Sequence, residues 1–327
     1  MLVARHLREV EFDRNSVVSV GSFDGVHRAH QEVIHTVAAR AHERGGRSVI
    51  VTFDPHPKQV LAPHKDEIRL LSTLEERIDM CADLQVSLVY VIEFTYEFSR
   101  RSFREFYDQI IVKGIGVSEV IEGYDHHFGR DREGSIQELV QMGKEFDFSL
   151  IAMKPVTVGD EVVSSSAIRK HLHAGNVHRA AELLGRPYQI RGTVRRGDGR
   201  GRSLGYPTAN LELTDPAKLI PADGVYVTSV RWGDAAYYGM ANIGRRPTFT
   251  NHGERAVEVH LLGFDGSLYG GHLEVHFLHR LRDEAKFDST SALVRQMDAD
   301  KAETVAFVND YEKVLRASSG GTATMHH

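Results

Sequence analysis

A short strand–turn–helix stretch near the N-terminus constrains this chain more than any other feature. Val17 to Val20 form an apolar, largely β-branched run typical of a buried parallel strand, followed by a glycine-containing turn and the polar start of a helix. The first N–H groups of a helix have no internal partner and attract anions. His27 and His30 are three residues apart, so they share one helical face. We therefore predict phosphate handling here; the alternative is a pair of ordinary surface histidines.

The same stretch resembles the H-x-G-H signature of the nucleotidyltransferases. Residues 21–27, Gly-Ser-Phe-Asp-Gly-Val-His, with His30, resemble in particular the prokaryotic bifunctional riboflavin kinase/FAD synthetases. Ala29 stands where that family usually has glycine, which adds one methyl group close to the substrate. The resemblance implies that His27 and His30 are catalytic, with His30 in the main transition-state role. It also implies ATP or phosphate contacts from Gly21, Phe23 and Asp24.

Composition limits the remaining possibilities. The 327 residues suffice for two domains, and a formal net charge of −5 does not favour bulk nucleic-acid binding. No apolar run approaches the roughly 20 residues of a membrane helix, so we predict no membrane partner. The N-terminus lacks a secretory apolar segment, and a single cysteine, Cys81, cannot form an internal disulfide. We therefore expect a cytoplasmic protein, and its protein partners are unknown.

The first half of the chain alternates between predicted strands and helices, which favours a parallel, doubly wound (Rossmann-like) sheet. Two polar loops, residues 54–57 and 122–134, follow strands, where such sheets place ligand loops. The second loop resembles the family motif G-x-D-F-x-F-G, with His126 where an aromatic residue is common. The resemblance makes Asp125 a flavin or substrate contact; the alternative is a solvated polar loop.

Three hydroxyls, Ser164 to Ser166, begin another predicted helix, which carries Arg169. One serine suffices as a cap, and a cation is unfavourable at a helix N-terminus, so a bound anion would remove the conflict. The stretch resembles the second nucleotidyltransferase signature, I-S-S-T-x-I-R, with Ser166 replacing threonine. The resemblance assigns Ser164, Ser166 and Arg169 to ATP phosphates. Adenylyl transfer needs no protein nucleophile, because the FMN phosphate attacks the α-phosphate of ATP while Mg²⁺ bridges phosphates.

The pattern changes near Arg186 to short β segments separated by glycine and proline, which predicts an antiparallel barrel closed by a helix. We predict an FMN adenylyltransferase domain at residues 1–185, a riboflavin kinase domain at 186–316 and a disordered tail at 317–327.

The chemistry of the second half centres on a Gly/Arg loop that runs into Pro207-Thr208-Ala209-Asn210. Such a loop offers backbone donors and cations to polyphosphate. Thr208 and Asn210 are two apart, so on an extended segment their oxygens face one side and suit Mg²⁺. The alternative is a flexible loop beside an ordinary strand. The predicted ATP contacts in this loop are Gly197, Gly199, Gly201 and Arg202.

The string resembles the riboflavin kinase signature with its P-T-A-N metal motif. That resemblance makes Glu258 the general base that accepts a proton from the riboflavin 5′-hydroxyl. The implied function is phosphorylation of riboflavin to FMN and adenylylation of FMN to FAD, with ATP as co-substrate. Three alternatives remain open: a riboflavin kinase with an inactive or differently specific first domain, a nucleotidyltransferase for a non-flavin substrate, and a flavin-sensing or RNA-binding regulator.

Overall fold

The computed structural model describes residues 1–62, 68–123, 136–197, 201, 204–245 and 255–319. The chain divides into two compact units, Met1–Ser165 and Ser166–His327. Within the described ranges, no helix combines the length and apolarity needed to span a membrane.

The first unit contains a six-stranded sheet in the order β1-β4-β3-β2-β5-β6, in which every neighbouring pair is parallel. The predicted parallel sheet is therefore confirmed. Its strands are Leu2–Ala4 (β1), Val17–Val20 (β2), Ser48–Asp54 (β3), Leu88–Glu93 (β4), Glu119–Glu122 (β5) and Ser149–Ala152 (β6). Two further strands, Thr157–Val158 (β7) and Glu161–Val162 (β8), form a small antiparallel pair.

Helices lie between these strands, and polar side chains cap several of them. They are Arg28–Glu43 (α1), Pro57–Leu61 (α2), Leu74–Asp83 (α3), Tyr96–Ser99 (α4), Phe103–Phe106 (α5) and Ile136–Phe146 (α6), with a π-helical segment, Tyr107–Ile115, continuing α5. Thr73 caps α3 by accepting a hydrogen bond from the Glu76 N–H at 3.2 Å.

Both faces of the sheet are buried, as expected for a parallel sheet. Successive side chains of a strand face opposite sides. Val49 and Val51 accordingly pack into one apolar cluster, and Ile50 packs into the other. Cys81 belongs to the second cluster, where burial raises the pKa of its thiol to about 12, so the thiol is uncharged at neutral pH.

The second unit contains a closed antiparallel barrel in the order β10-β13-β12-β11-β14-β9. Its strands are Tyr188–Arg195 (β9), Ala209–Leu213 (β10), Gly224–Trp232 (β11), Ala235–Arg245 (β12), Arg255–Leu261 (β13) and His272–Arg282 (β14). Its helices are Ser165–His173 (α7), which begins at the last residue of the first unit, Val177–Leu184 (α8) and Thr290–Ser319 (α9). Val308 of α9 packs against Val227, Tyr238 and Leu278. The predicted barrel with its helix is confirmed.

Two divisions of the chain differ from the prediction. The compact units separate between Ser165 and Ser166, earlier than residue 185, because α7 and α8 pack in the second unit. The Ala222 N–H, for example, donates to the Leu172 carbonyl at 2.9 Å. The tail predicted from residue 317 begins too early, since α9 continues to Ser319; residues 320–327 lie outside the described ranges. The boundary between the two activities stays a prediction.

Candidate active sites

The two histidines of the first unit stand together at the start of α1. His27 is the N-cap residue, and its Nδ1 accepts a hydrogen bond from the His30 N–H at 3.3 Å. The two rings stack with centroids 3.6 Å apart, and the Phe23 ring meets the His30 ring edge-on at 5.2 Å. An Nδ1 that accepts must lack a proton, so the neutral His27 ring carries its proton on Nε2, where it can be donated. The geometry therefore provides a donor beside a helix N-terminus.

These side chains stand on or next to a turn that is strained along much of its length. We call residues 21–27 the histidine turn. Phe23, Gly25 and Val26 have φ values of 46°, 86° and 37°. For the two residues with side chains, this left-handed conformation costs roughly 1–2 kcal/mol each. A Cβ at Gly21 would make a tight contact of 3.2 Å with the Phe23 ring, which would have to shift slightly. Such strain persists only where the surroundings oppose relaxation.

The surroundings of the turn come from a segment almost fifty residues later. Asp24 is 1% exposed, and its Oδ1 accepts hydrogen bonds from the N–H groups of Leu71 and Ser72 at 2.9 and 3.0 Å. The Ser72 hydroxyl donates to the same oxygen at 3.3 Å and accepts from the Gly25 N–H at 2.7 Å. The carboxylate of Asp24 therefore positions the turn, and its predicted contact with ATP stays a prediction.

Arg77 of α3 provides a second connection to the same loops. Its Nη1 donates to the Ser22 carbonyl at 2.8 Å, to Thr52 Oγ1 at 2.8 Å and to the Phe53 carbonyl at 3.2 Å. One buried guanidinium thus joins the carboxyl ends of β2 and β3. The sequence analysis did not assign Ser72 or Arg77 to a functional site, because nothing local to either residue reveals that it faces the histidine turn.

The second predicted phosphate stretch reaches this site through a different serine from those predicted. Ser165, the first residue of α7, donates from its hydroxyl to the Asp24 carbonyl at 3.0 Å. Ser164 precedes it, and Ser166 and Arg169 follow within α7. The roles of these three on ATP phosphates stay predictions. Asp125, the predicted flavin contact, lies outside the described residues.

In the second unit, strand register brings the predicted kinase residues together. Asn210 of β10 lies directly opposite Glu258 of β13, and Thr208 Oγ1 hydrogen-bonds Glu258 Oε2 at 3.4 Å. Val257 and Val259 face the barrel interior, so Glu258 faces outward. Asn242 of β12 is paired with Glu258 on its other side, and the sequence analysis had not selected it. Oxygen-bearing side chains from three strands therefore converge on one outer face.

Two glycines allow the preceding loop to approach these side chains. A Cβ on Gly197 would lie 2.0 Å from Asn210 Nδ2, and a Cβ on Gly201 would lie 2.3 Å from the Tyr206 carbonyl oxygen. Only glycine fits at such distances without movement of the neighbours. The other two predicted contacts in this loop, Gly199 and Arg202, lie outside the described residues.

The residues before Thr208 are held by α9 and by β13. The Tyr206 hydroxyl hydrogen-bonds Asp298 of α9, and burial together with this carboxylate raises the pKa of Tyr206 to about 12. His260 Nδ1 lies 2.9 Å from the Pro207 carbonyl oxygen, a distance that requires the ring to donate there. Burial lowers the pKa of His260, which keeps the ring neutral at neutral pH.

A cavity of about 230 Å³ opens beside Thr208. Its walls are apolar on the barrel side, where Val194, Val259 and Leu261 lie, and mixed opposite, where the loop of residues 264–269 brings polar groups such as Asp265 and Ser267. Phe264 in that loop is held by edge-to-face contacts with Trp232 and Tyr237, at centroid distances of 5.6 and 5.4 Å. A ligand group with one apolar and one polar side, next to the Thr208 oxygen, suits this space.

Both units match known families. The FAD synthetase family model matches residues 9–167, and the riboflavin kinase model matches residues 184–308. Fold and sites thus define a nucleotidyltransferase sheet followed in one chain by a flavokinase barrel.

Relatives cover nearly the whole chain. A bifunctional riboflavin kinase/FMN adenylyltransferase of Listeria monocytogenes is 35% identical over 90% of this chain and 93% of its own length. One of Pseudomonas fluorescens is 38% identical over 88% and 92%. The chain therefore belongs to the bifunctional riboflavin kinase/FMN adenylyltransferase family. A solved chain described as a macrolide-efflux protein from Streptococcus pneumoniae is 34% identical with a TM-score of 0.84, covering 93% of this chain and 98% of that one.

Proposed function

We propose that this chain phosphorylates riboflavin with ATP to give FMN, and then transfers AMP from a second ATP to FMN, giving FAD and pyrophosphate. The observation that carries the proposal is the match of both family models, one to each half of a single chain. The same observation disfavours the alternative of a kinase whose first domain lacks this activity. Because both reactions consume ATP, we also propose a cytoplasmic location.

In the kinase site, Glu258 accepts the proton of the riboflavin 5′-hydroxyl, whose oxygen attacks the γ-phosphorus of ATP as ADP leaves. The outward orientation of the Glu258 carboxylate, beside Thr208, supports this role. The hydroxyl of Thr208 and the amide of Asn210 are the hard oxygen donors that suit Mg²⁺, and they lie beside the loop proposed to bind the phosphates. When bound, Mg²⁺ would neutralise charge on the phosphates.

In the adenylyltransferase site, an FMN phosphate oxygen attacks the α-phosphorus of ATP and pyrophosphate leaves, with no covalent enzyme intermediate. The histidine turn and the start of α1 contribute hydrogen-bond donors: the His27 Nε2–H, the His30 ring and backbone N–H groups of the first turn of α1. They stabilise charge that develops at the α-phosphate. Ser164, Ser166 and Arg169 keep their proposed role on the triphosphate, and Gly21 and Phe23 shape the turn around it.

Chromatography of the products from riboflavin, excess ATP and Mg²⁺ tests the proposal. We expect FMN first and FAD later, and FAD and pyrophosphate when FMN is supplied directly. FMN without FAD would contradict the adenylyltransferase half alone. Neither product, from protein with native circular dichroism, would overturn both halves.

A further inference from the structure

We propose that Ser72 and Arg77 are positioning residues of the adenylyltransferase reaction. Their hydrogen bonds hold the histidine turn in its strained conformation and thereby place His27 and His30. The proposal rests on the function assigned to this turn, and the riboflavin kinase activity of the same chain provides an internal reference.

Ser72 closes a small ring of hydrogen bonds with the turn. Its hydroxyl accepts from the Gly25 N–H at 2.7 Å and donates to Asp24 Oδ1 at 3.3 Å. Gly25 lies between Phe23 and Val26, the two non-glycine residues with left-handed φ values. Ser72 is 1% exposed, so water cannot readily replace these bonds. Without the hydroxyl, the Gly25 N–H loses this hydrogen bond between the two residues whose backbone is strained.

Arg77 holds the beginning of the same turn. Its guanidinium, 3% exposed, donates to the Ser22 carbonyl and to Thr52 Oγ1, and Thr52 Oγ1 in turn donates to Ser22 at 3.2 Å. The turn is thus held at Ser22 by Arg77 and at Gly25 by Ser72, both from the segment that begins α3. The histidines follow directly at the N-cap and first turn of α1.

This arrangement predicts a specific kinetic signature. Ser72 and Arg77 would act through the placement of the histidines, whose donors matter most when charge develops at the α-phosphate. Their loss should therefore lower kcat for FAD formation more than it raises KM for FMN or ATP. A purely structural role would instead reduce the amount of folded protein and leave kcat per folded molecule unchanged.

The test compares Ser72→Ala with Ser48→Ala. Ser48 is a matched control because it is 2% exposed and its Oγ also accepts a hydrogen bond from a backbone N–H, that of Ser87, at 2.8 Å. It differs in position, since it lies at the amino end of β3, whereas the histidine turn follows the carboxyl end of the neighbouring strand β2. We expect Ser72→Ala to lower kcat for FAD formation by roughly 10- to 100-fold, because small displacements of catalytic groups have effects of this size. Ser48→Ala should leave it within about twofold, and riboflavin phosphorylation should be unchanged in both.

Graded variants keep the test decisive if Ser72→Ala folds poorly. Ser72→Thr retains the hydroxyl and should restore kcat, whereas Ser72→Cys and Arg77→Lys retain size or charge with weaker hydrogen bonding and should give intermediate values. Ring NMR signals of His27 and His30 should shift in the same order. Equal kcat per folded molecule for Ser72→Cys, Arg77→Lys and the wild type would overturn the proposal. A loss in Ser48→Ala matching that in Ser72→Ala would also overturn it. If the wild type itself made no FAD, the proposed function would be at fault, rather than these two residues.

Discussion

The two proposed active sites are built in opposite ways. The kinase residues stand on the strands of a closed barrel or just before them, where register alone places Asn210 opposite Glu258. The adenylyltransferase histidines follow a turn with left-handed φ at Phe23 and Val26, held by side chains from a distant segment. Side chains on paired strands are positioned by the register of the sheet, whereas side chains on a turn need hydrogen bonds from other segments to hold the turn in place. The second design brings backbone N–H groups and helix dipole to an anion, which a strand cannot offer.

The strongest test of this contrast is Glu258→Gln. Loss of the general base should reduce FMN formation by about a thousandfold, while FAD formation from supplied FMN continues at the normal rate. Glu274→Gln is the matched control, because Glu274 is another half-buried strand glutamate with its own arginine partner, Arg191, at 2.7 Å. Coupled assays with riboflavin and with FMN separate the two rates. Loss of both activities in folded Glu258→Gln would show that the sites are not independent.

The converse substitution is His30→Ala. Removal of a donor to the developing charge should lower kcat for FAD formation by about a hundredfold and leave riboflavin phosphorylation intact. His35→Ala controls for the loss of a histidine from α1, since His35 lies on the exposed side of the same helix. Pyrophosphate release with FMN and ATP measures the effect. An unchanged rate would move the chemistry away from the histidine turn.

A smaller effect is expected from Thr208→Val, which preserves the shape of the side chain but removes its oxygen. We expect about a tenfold fall in kcat/KM for ATP in the kinase reaction, and a higher Mg²⁺ concentration for half-maximal rate. Thr193→Val provides the control, because Thr193 is on neighbouring β9 and its hydroxyl contacts His272 at 3.1 Å. A Mg²⁺ titration that does not shift would argue that Thr208 serves packing alone.

The smallest effect concerns the sheet that supports the histidine turn. Glu119 is the first residue of β5, at the amino end of the parallel strands and therefore away from the histidine turn, and its side chain is 2% exposed. Burial would raise its pKa, but hydrogen bonds from Arg40, Ser149 and Arg44 outweigh that effect and lower the pKa from 4.5 to about 2. A lowered pKa in the folded state stabilises the fold above pH 4.5, and this contribution disappears as the pH falls toward 2.

Glu119→Gln should therefore reduce the free energy of unfolding of the first unit by about 3 kcal/mol at pH 7, with a smaller difference at pH 3. Both activities at pH 7 should survive. Urea unfolding followed by circular dichroism at several pH values measures this. Glu43→Gln is the control, since Glu43 pairs with the same Arg40 but is 59% exposed, and it should cost under about 1 kcal/mol. A pH-independent difference for Glu119→Gln would contradict the stated origin.

Local patterns predicted those features whose geometry depends on neighbours in the chain. Three-residue spacing predicted that His27 and His30 lie together, and their rings do stack; because His27 is the extended N-cap of α1, capping of the His30 N–H rather than helical periodicity alone brings them together. Two-residue spacing identified Thr208 and Asn210 as a pair on an extended segment. Alternation of strands with helices, followed by short strands separated by glycine and proline, predicted the sheet and the barrel.

Features that depend on distant parts of the chain escaped the sequence analysis. The short strand Leu2–Ala4 joins the sheet only because β4 offers it a free edge, and so few residues carry no clear period. The compact units divide near the start of α7, so α8 and most of α7 belong to the second unit. The apolar periodicity of a helix does not show which part of the chain it packs against, so the sequence analysis placed the division later.

By itself, the sequence determined most of the elements, the chemistry-bearing residue types and the family, since each depends on residue order and spacing. Only the tertiary structure decided that Asn242 flanks Glu258, that the Asp24 carboxylate turns inward, and that Ser72 and Arg77 hold the histidine turn. The reason is physical: contacts between residues 16 to 55 positions apart form only once folding has brought them together, and no local spacing encodes them.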